Sequence, residues 1–460
     1  MSSRRTKSAI DQTEPFNWRI THKRVVALGL ILVSLFMLIQ GNRKLDSATR
    51  SIITFESGDI KTVLPLPVPD TLQLPPRIVS WDPDAVEYLP HIIAHTRNYM
   101  NFAAGLFLLG GLVALLDLPA LRRISRALLI ACGLMVIPTL LIAAASGGRT
   151  NATTMLTESL RLATPIAIGA MAGIWCERTG VVNIAIEGMM LFGAGFGFMT
   201  LYFLRENLSS NMALSIAVLV AVGVGGLAAL LHAWLSITFR TDQIISGTVI
   251  NIMAVGATSF VRREYLQSTE AGMMTLPSIA IPGLSKLPIL GDTLFTSQPI
   301  FYLMFLIVLF TQIMLFYTRW GLRVRAVGEH PSAADTLGVN VNRTRWVNVF
   351  VAGLIAGLAG AWFSLEATGR FNDSMTSGAG FIALAAMIFG KWRPLGAFGA
   401  ALLFGFANAL GTRLQMEEVP TPPQFLQMVP YVVTVLVLAG FIGHATAPKA
   451  DGVPYVKEGQ

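Results

Sequence analysis

Charged residues are scarce in this chain: Asp, Glu, Lys and Arg together make up 13% of its 460 residues, whereas soluble domains contain roughly 25%. Apolar residues account for 53%, and the mean hydropathy is +0.61. This composition excludes an ordinary soluble protein. It predicts an all-α, polytopic membrane helix bundle, because a helix satisfies its own backbone hydrogen bonds inside lipid.

Motifs that would give the chain an enzymatic activity are also absent. The sequence contains no Gly-x-x-x-x-Gly-Lys-Ser/Thr phosphate loop, so we expect that the chain does not bind ATP itself. It has no His-Glu-x-x-His or Gly-x-Ser-x-Gly motif, and its two cysteines, Cys132 and Cys176, lie in or beside apolar stretches. We therefore expect no catalytic residues, no metal site and no cofactor in this chain.

Basic residues give the chain a net charge of +8, but they occur in short clusters between apolar segments. This distribution is typical of the positive-inside rule and does not favour nucleic-acid binding. A basic cluster before the first apolar segment, residues 25–40, predicts a cytoplasmic N-terminus and an uncleaved anchor, with a cleaved signal peptide as the alternative. The parity of the later spans predicts a cytoplasmic C-terminus in a multi-pass protein of the plasma membrane.

Apolar segments of suitable length predict about 10–12 transmembrane or re-entrant helices. The segments are 25–40, 101–118, 127–145, 163–175, 181–203, 212–239, 244–261, 300–317, 347–365, 381–390, 395–410 and 429–442. Three spans therefore lie in an N-terminal extension, 1–150, the others lie in 151–445, and 446–460 is a cytoplasmic tail. Segment 41–97, with six basic and seven acidic residues, is predicted to be external, either as a small subdomain or as an extended proline-rich strap.

Two polar segments interrupt the apolar sequence. Residues 177–180, Glu-Arg-Thr-Gly, predict either a tight turn between two spans or a break within one discontinuous helix. Residues 319–345 carry five arginines and two acidic residues, so they are predicted to be cytoplasmic. Pro331 suits the first turn of a short helix and Gly338 suits its end. Such a helix could press into a groove of a soluble partner, although a solvated basic loop explains the composition equally well.

Polar side chains inside the apolar segments are candidates for function. Glu187 is costly in hydrocarbon, so it either contributes to a transport pathway, caps a helix start or pairs with a basic group such as Arg178. Asn183 and Asn251 either line a pore or form hydrogen bonds between helices. The spacing Gly353-x-x-x-Gly357 predicts close packing of two helices and carries no information about a substrate.

Three motifs carry a resemblance to a known family. They are the stretch 163–194 with its Glu-Arg-x-Gly-Val-Val-Asn-Ile-Ala-x-Glu-Gly sequence, the loop 321–339, and the stretch 377–394. In this order they resemble the permease subunits of ABC importers for sugars, nucleosides and branched-chain amino acids, and the first motif is most similar to the nucleoside permeases. His330 departs from the family, which usually has Asn there, and the resemblance does not include residues 1–150.

The resemblance implies a type II ABC importer-like permease core in residues 151–445. It implies a small polar solute, nucleosides first and simple sugars second, and four kinds of contact: membrane lipid, a second homologous permease subunit, a cytoplasmic ATPase that uses ATP, and an extracytoplasmic solute-binding protein. Candidate ATPase-coupling residues are Arg323, Arg325, Ala326, Gly328, Glu329, Ala333, Ala334 and Gly338. Candidate translocation-pathway residues are Asn183, Glu187, Gly188, Asn251 and Phe381.

Two other functions fit a polytopic membrane protein. A secondary transporter driven by an ion gradient would need buried carboxylates or histidines as relays, for which Glu187 is a candidate. A non-transporting scaffold or sensor would use segment 41–97. If the permease assignment is right, deletion of residues 1–150 leaves the core assembled, and Arg325→Glu or Gly328→Pro releases the ATPase from a folded permease.

Overall fold

The computed structural model of the chain describes residues 22–45, 49–54, 77–78, 86–87, 91–116, 119–144, 146, 149–266, 274–287, 290–416 and 446–457. Within these residues it contains fourteen α-helices and seven short strands. The helices are α1 (His22–Lys44), α2 (Thr96–Leu116), α3 (Arg122–Ala144), α4 (Ala152–Glu177), α5 (Ile186–Leu204), α6 (Ser210–Ala233), α7 (Gln243–Tyr265), α8 (Leu290–Leu294), α9 (Pro299–Tyr317), α10 (Arg319–Glu329), α11 (Pro331–Thr336), α12 (Val341–Ala361), α13 (Ala379–Phe389) and α14 (Pro394–Met416). The strands are β1 (Arg50–Thr54), β2 (Arg77–Ile78), β3 (Val86–Glu87), β4 (His91–His95), β5 (Arg149–Asn151), β6 (Ile279–Ala280) and β7 (Thr296–Ser297).

Eight helices of the described residues are long and apolar enough to cross a membrane: α2, α4, α5, α6, α7, α9, α12 and α14. α6 and α12 each continue into a π-helical turn, Trp234–Thr238 and Trp362–Ala367. Two shorter apolar helices are Val26–Ile39 within α1, and α13. The prediction of an all-α polytopic membrane protein is confirmed, while the predicted span 429–442 lies outside the described residues.

The buried core forms around α4, which packs against α9, α12, α13 and α14. α12 also packs closely on α6, where a Cβ added at Gly225 would lie only 2.5 Å from the carbonyl oxygen of Gly353. The small residues of the Gly353-x-x-x-Gly357 motif therefore allow close approach of the two backbones, as predicted. Large apolar side chains on α6, α7 and α9 stay exposed, which suits helices that face lipid.

The N-terminal helices have a buried cluster of their own, formed by Met37, Ala103, Phe107 and Cys132 with neighbouring residues. Strand β1 pairs antiparallel with β4 and parallel with β5. β1 and β4 both belong to segment 41–97, so the two described ends of this segment pair with each other, while its proline-rich part, residues 64–76, lies outside the described residues. β5 leads directly into α4, whose first turn is capped by the Asn151 side chain.

Deletion of residues 1–148 is expected to leave the remaining chain folded and able to assemble with its partners. The N-terminal helices bury their own cluster, and the truncated chain keeps Asn151, which accepts hydrogen bonds from Thr153 N at 3.0 Å and Thr154 N at 3.3 Å. Size-exclusion chromatography and partner co-purification are the measurements. Aggregation of the truncated chain would show that the N-terminal helices are integral to the core.

Three element boundaries differ from the predictions. The predicted span 163–175 is the second half of a longer helix, α4, which begins at Ala152. The segment 177–180 is a tight turn between two helices, with Gly180 at φ +81°, and α5 begins at Ile186 and not at 181. α12 begins at Val341, so Arg345 belongs to a helix and not to the loop that was predicted to contain it.

Candidate translocation pathway and coupling site

The N-terminus of α13 is held by the carboxylate of Glu187. The Glu187 Oε1 atom accepts from Thr376 Oγ1 at 2.6 Å and from Gly378 N at 2.9 Å, and Oε2 accepts from Gly380 N at 2.6 Å. The first backbone N–H groups of a helix have no partner within the helix and carry a partial positive charge, so a carboxylate satisfies them well. Of the alternatives for Glu187, the structure shows the helix cap and not a pair with Arg178.

α13 is too short to cross a bilayer. Its 11 residues extend about 16 Å at 1.5 Å per residue, roughly half of a ~30 Å hydrocarbon core. Before it, residues 368–378 are not helical, and Gly378 has φ +82°. Irregular backbone within a membrane must be buried in protein or line an aqueous cavity, and half-helices of this kind form solute sites in transporters.

Asn251 on α7 binds the start of α5. Its Oδ1 accepts from Gly188 N at 2.7 Å, and its Nδ2 donates to the Ile184 carbonyl at 2.9 Å. Asn183 is fully buried beside Met189. Glu187, Gly188 and Asn251 therefore lie together at one junction of α5, α7 and α13, whereas Phe381 projects from α13 with half of its surface exposed.

A cavity of about 320 Å³ lies beside the same half-helix start. Its lining combines the aromatic residues Trp362 and Phe363 with polar residues of the loop before α13 and of α14. The lining residues are Leu162, Pro165, Ile166, Trp362, Phe363, Met375, Thr376, Ser377, Ala379, Ile382, Asn408, Gly411, Thr412 and Gln415. Thr376 both lines the cavity and donates to Glu187, so the cavity adjoins the predicted pathway residues although it contains none of them.

Three titratable side chains that no local sequence pattern marks, Glu177, Glu366 and His232, are buried in the described helices. Glu177 accepts from Trp392 Nε1 at 2.7 Å. Glu366 accepts from the backbone N–H groups of Ile300 and Phe301 and so caps α9. His232 bonds through Nε2 to the Val182 carbonyl at 2.9 Å and through Nδ1 to Ser246. Their partners give each of these groups a structural role.

The predicted short helix in segment 319–345 is α11, and a second helix, α10, precedes it. Together we call them the coupling helices. Gly328 in the last turn of α10 packs against the carbonyl oxygen of Arg178, and an added Cβ would overlap with that oxygen. The coupling helices therefore rest directly on the turn between α4 and α5.

Arg178 connects this turn to the end of α13. Its Nε donates to the Trp392 carbonyl at 3.0 Å, and its guanidinium lies 5.5 Å above the Phe316 ring. Lys391 and Trp392 have φ values of +56° and +52°, a costly conformation for residues with side chains. Arg178 stabilises that conformation, so the α4–α5 turn links the coupling helices to one end of α13 while Glu187 holds the other end.

The predicted coupling residues divide into exposed and buried sets. Arg323, Ala333 and Gly338 are exposed, and Arg325, Ala326 and Glu329 are partly buried. Gly328 and Ala334 are buried within the chain, so they shape the coupling helices and do not offer a surface to a partner. Two apolar residues of this segment, Leu322 and Leu337, are exposed although no sequence pattern predicts it. Leu337 has 86% of its surface exposed.

A half-helix that adjoins a cavity, joined to short helices at one end of an apolar bundle, defines a membrane transport subunit. Residues 155–438 match the family described as branched-chain amino acid transport system / permease component. The chain belongs to this family. It is a permease subunit of an ABC importer and not an enzyme, which confirms the resemblance seen in the sequence and gives no support to the secondary-transporter alternative.

The chain is similar to several curated permeases. It is 42% identical to the guanosine ABC transporter permease protein NupQ of Bacillus subtilis, over 65% of this chain and 95% of that protein. It is 38% identical to the nucleoside ABC transporter permease protein NupC of Lactococcus lactis, over 66% of this chain and 96% of that protein. It is 33% identical to the putative glucose ABC transporter permease protein TsgC13 of Haloferax volcanii, over 62% of this chain and 90% of that protein. No solved structure matches the chain.

Membership of this family implies in general an ATPase and a solute-binding protein as partners. The eight apolar helices and the permease relatives also show that the chain is a multi-pass membrane protein.

Proposed function

We propose that the chain forms one part of the translocation pathway of an ATP-driven importer for nucleosides. The observation that carries the proposal is the cavity beside the start of α13. Its volume of about 320 Å³ lies in the ~300–1,000 Å³ range of small-molecule sites. The rings of Trp362 and Phe363 line one part of the cavity, where a planar base would contact them. The Asn408, Thr412 and Gln415 side chains would form hydrogen bonds to ribose hydroxyls.

Two relatives support nucleosides as the solute, since NupQ and NupC are named as guanosine and nucleoside permeases. Simple sugars are the second candidate, because a third relative is named as a putative glucose permease. The polar residues of α14 that line the cavity would bind a sugar equally well, whereas the aromatic residues Trp362 and Phe363 favour a base.

In the proposed assembly the chain pairs with a second homologous permease subunit in the plasma membrane. The ATPase binds the coupling helices and uses ATP, for which this chain has no phosphate loop. An external binding protein delivers solute at the opposite face, and both termini are cytoplasmic. The arginines of 319–345 support this orientation, because basic loops lie on the cytoplasmic side.

The geometry provides a route by which the ATPase acts on the pathway. A push on the coupling helices reaches the α4–α5 turn through the contact between Gly328 and Arg178. From that turn it passes to α5, which carries Glu187, and through the Arg178 bond to the Trp392 carbonyl it reaches the end of α13. Both ends of the half-helix therefore respond to the same movement, which opens or closes the cavity as the two states exchange.

The test is uptake of labelled guanosine into liposomes that contain the complete complex, with and without ATP on the ATPase side. We expect uptake to require both ATP and an intact ATPase. Uptake that survives without ATP hydrolysis but collapses with an ionophore would contradict the proposal and favour a secondary transporter.

Substitution of Asn408 by leucine is expected to raise the guanosine concentration for half-maximal uptake about tenfold. The change keeps the side-chain size and removes hydrogen bonds worth about 1–2 kcal/mol. Asn211→Leu, at an exposed position at the start of α6, is the matched control and should leave uptake unchanged. If Asn408→Leu left the guanosine concentration for half-maximal uptake unchanged, the cavity would not be part of the solute pathway.

Leu337→Asp is expected to reduce co-purification of the ATPase at least about tenfold without destabilising the permease, because the side chain is 86% exposed. It is a cleaner variant than Gly328→Pro, which would disturb the packing of α10 on Arg178, or Arg325→Glu, which would lose the contact with Phe316. Leu284→Asp, in an exposed loop between α7 and α9, is the control. Equal ATPase recovery with both variants would remove α11 from the docking surface.

A further inference from the structure

The C-terminal segment 446–457 lies within the predicted cytoplasmic tail, and the structure packs it onto the coupling helices. The Ala450 N–H donates to the Gly328 carbonyl at 2.9 Å, and the Lys449 N–H lies 3.4 Å from Glu329 Oε2. The last carbonyls of a helix have no partner within the helix, so this segment supplies a donor that the end of α10 needs.

Arg345 makes the second attachment. It is only 1% exposed, and it donates through Nε to the Thr179 carbonyl and through Nη1 to the Val453 carbonyl, both at 3.1 Å. The segment also touches the turn itself, because a Cβ added at Gly180 would lie 2.7 Å from the Ala450 carbonyl oxygen. One buried guanidinium therefore joins α12, the α4–α5 turn and the C-terminal segment.

The Asp451 carboxyl lies near the same guanidinium. Burial raises the pKa of Asp451, and the positive charge of Arg345 acts in the opposite direction. A carboxyl and a guanidinium that share a buried site are expected in a segment that is packed as part of the fold and not in a solvated tail.

Tyr455 makes the third attachment. Its side chain is buried in a cluster with Val327 of α10, Ala334 of α11 and Val341 of α12. This cluster holds the two coupling helices together, and the tyrosine is its largest member. Removal of the segment would open the cluster and leave α11 attached through fewer contacts.

The outer face of the segment stays apolar and exposed. Val453 and Val456 have 53% and 50% of their surfaces exposed, and they flank the tyrosine that packs against α11. Two side chains make only a small apolar patch, so their attachment to α10 decides which partner they face. The segment is continuous, through its hydrogen bonds to α10, with the helices proposed to bind the ATPase.

We infer that residues 446–457 form a third element of the ATPase-docking surface and fix the coupling helices to the α4–α5 turn. This inference rests on the proposed function, because the partner is the ATPase of that complex. The segment presents Val453 and Val456 to the ATPase, and Tyr455 attaches it to α11. Through Arg345 and Ala450 it transfers the movement of the ATPase to the turn that controls α13.

A photoreactive benzophenone side chain placed at position 456 of the full chain, within the complete complex, tests the contact. We expect an adduct with the ATPase comparable to that from position 337, and none from position 284. A lipid adduct alone from position 456, with an ATPase adduct from position 337, would overturn the inference and leave the proposed function standing. Failure of the unaltered complex to take up guanosine with ATP would instead overturn the proposed function.

Two truncations test the mechanical role. A chain that ends at residue 447 is expected to import at least about tenfold less guanosine per ATP hydrolysed, whereas a chain that ends at residue 457 behaves as the full chain. If the shorter chain does not fold, Tyr455→Ala, with Tyr455→Phe as the matched control, replaces it. An unchanged ratio of transport to ATP hydrolysis in the truncated or Tyr455→Ala protein would overturn the inference.

Discussion

Glu187→Ala is expected to reduce guanosine uptake by at least about tenfold while the protein still inserts and assembles with its ATPase. The carboxylate accepts three hydrogen bonds at the start of α13. A hydrogen bond to a charged acceptor contributes about 1.5–3 kcal/mol to stability, and the contributions of several such bonds do not simply add. Their loss leaves Gly378 N and Gly380 N without this acceptor and frees the half-helix to leave its position beside the cavity.

The variant Glu187→Gln distinguishes a role as a helix cap from a role as a charge relay, because it keeps an acceptor oxygen but removes the charge. The amide oxygen can still accept from Thr376 and Gly378, but its NH2 group faces the Gly380 N–H, so we expect an intermediate loss of uptake. Ile388→Ala, at an exposed position of the same helix, is the control and should transport normally. Normal uptake by Glu187→Ala would show that the start of α13 does not need its cap.

Arg345→Met is expected to produce the largest loss of stability among the substitutions considered, about 3 kcal/mol. The methionine fills part of the same space, but the carbonyls of Thr179 and Val453 lose their donor, and Asp451 loses its positive neighbour. Loss of one partner from a buried, hydrogen-bonded charge site typically costs ~3–5 kcal/mol. Because the guanidinium joins three segments, we also expect loss of ATP-driven uptake.

Thermal unfolding of the purified permease and recovery of the ATPase check this expectation. Arg343→Met is a matched control, since Arg343 lies two residues away on the same helix and is exposed. Removal of an exposed charge changes stability by less than about 1 kcal/mol. Equal unfolding temperatures for the two variants would mean that Arg345 does not hold the C-terminal segment in place.

Features that depend on local sequence were predictable. Pro331 and Gly338 mark the ends of α11 because proline suits a first helical turn and glycine tolerates the positive φ after the last turn. The structure has α11 at Pro331–Thr336 and Gly338 at φ +82°. The shortness of the apolar segment 381–390 likewise anticipated a half-length helix, α13, which ends at Phe389.

Partners that are far apart in the sequence were not predictable. Glu187 was singled out as a costly carboxylate, but its acceptor role depends on Gly378 and Gly380, about 190 residues later. The sequence places Arg345 in a loop, because nothing near it in the chain shows that it meets Thr179 and Val453. The cavity residues were missed for the same reason, since ordinary aromatic and amide residues of several helices become a site only when those helices pack.

The sequence by itself determined that the protein is a polytopic membrane permease, because composition, charge placement and three motifs are read without knowledge of contacts. Only the tertiary structure decided that Glu187 caps α13, that Gly328 and Ala334 are buried, and that the C-terminal segment belongs to the coupling helices. The physical reason is that hydropathy and turn signals act over a few residues. Burial and hydrogen bonding, in contrast, depend on which distant segments meet.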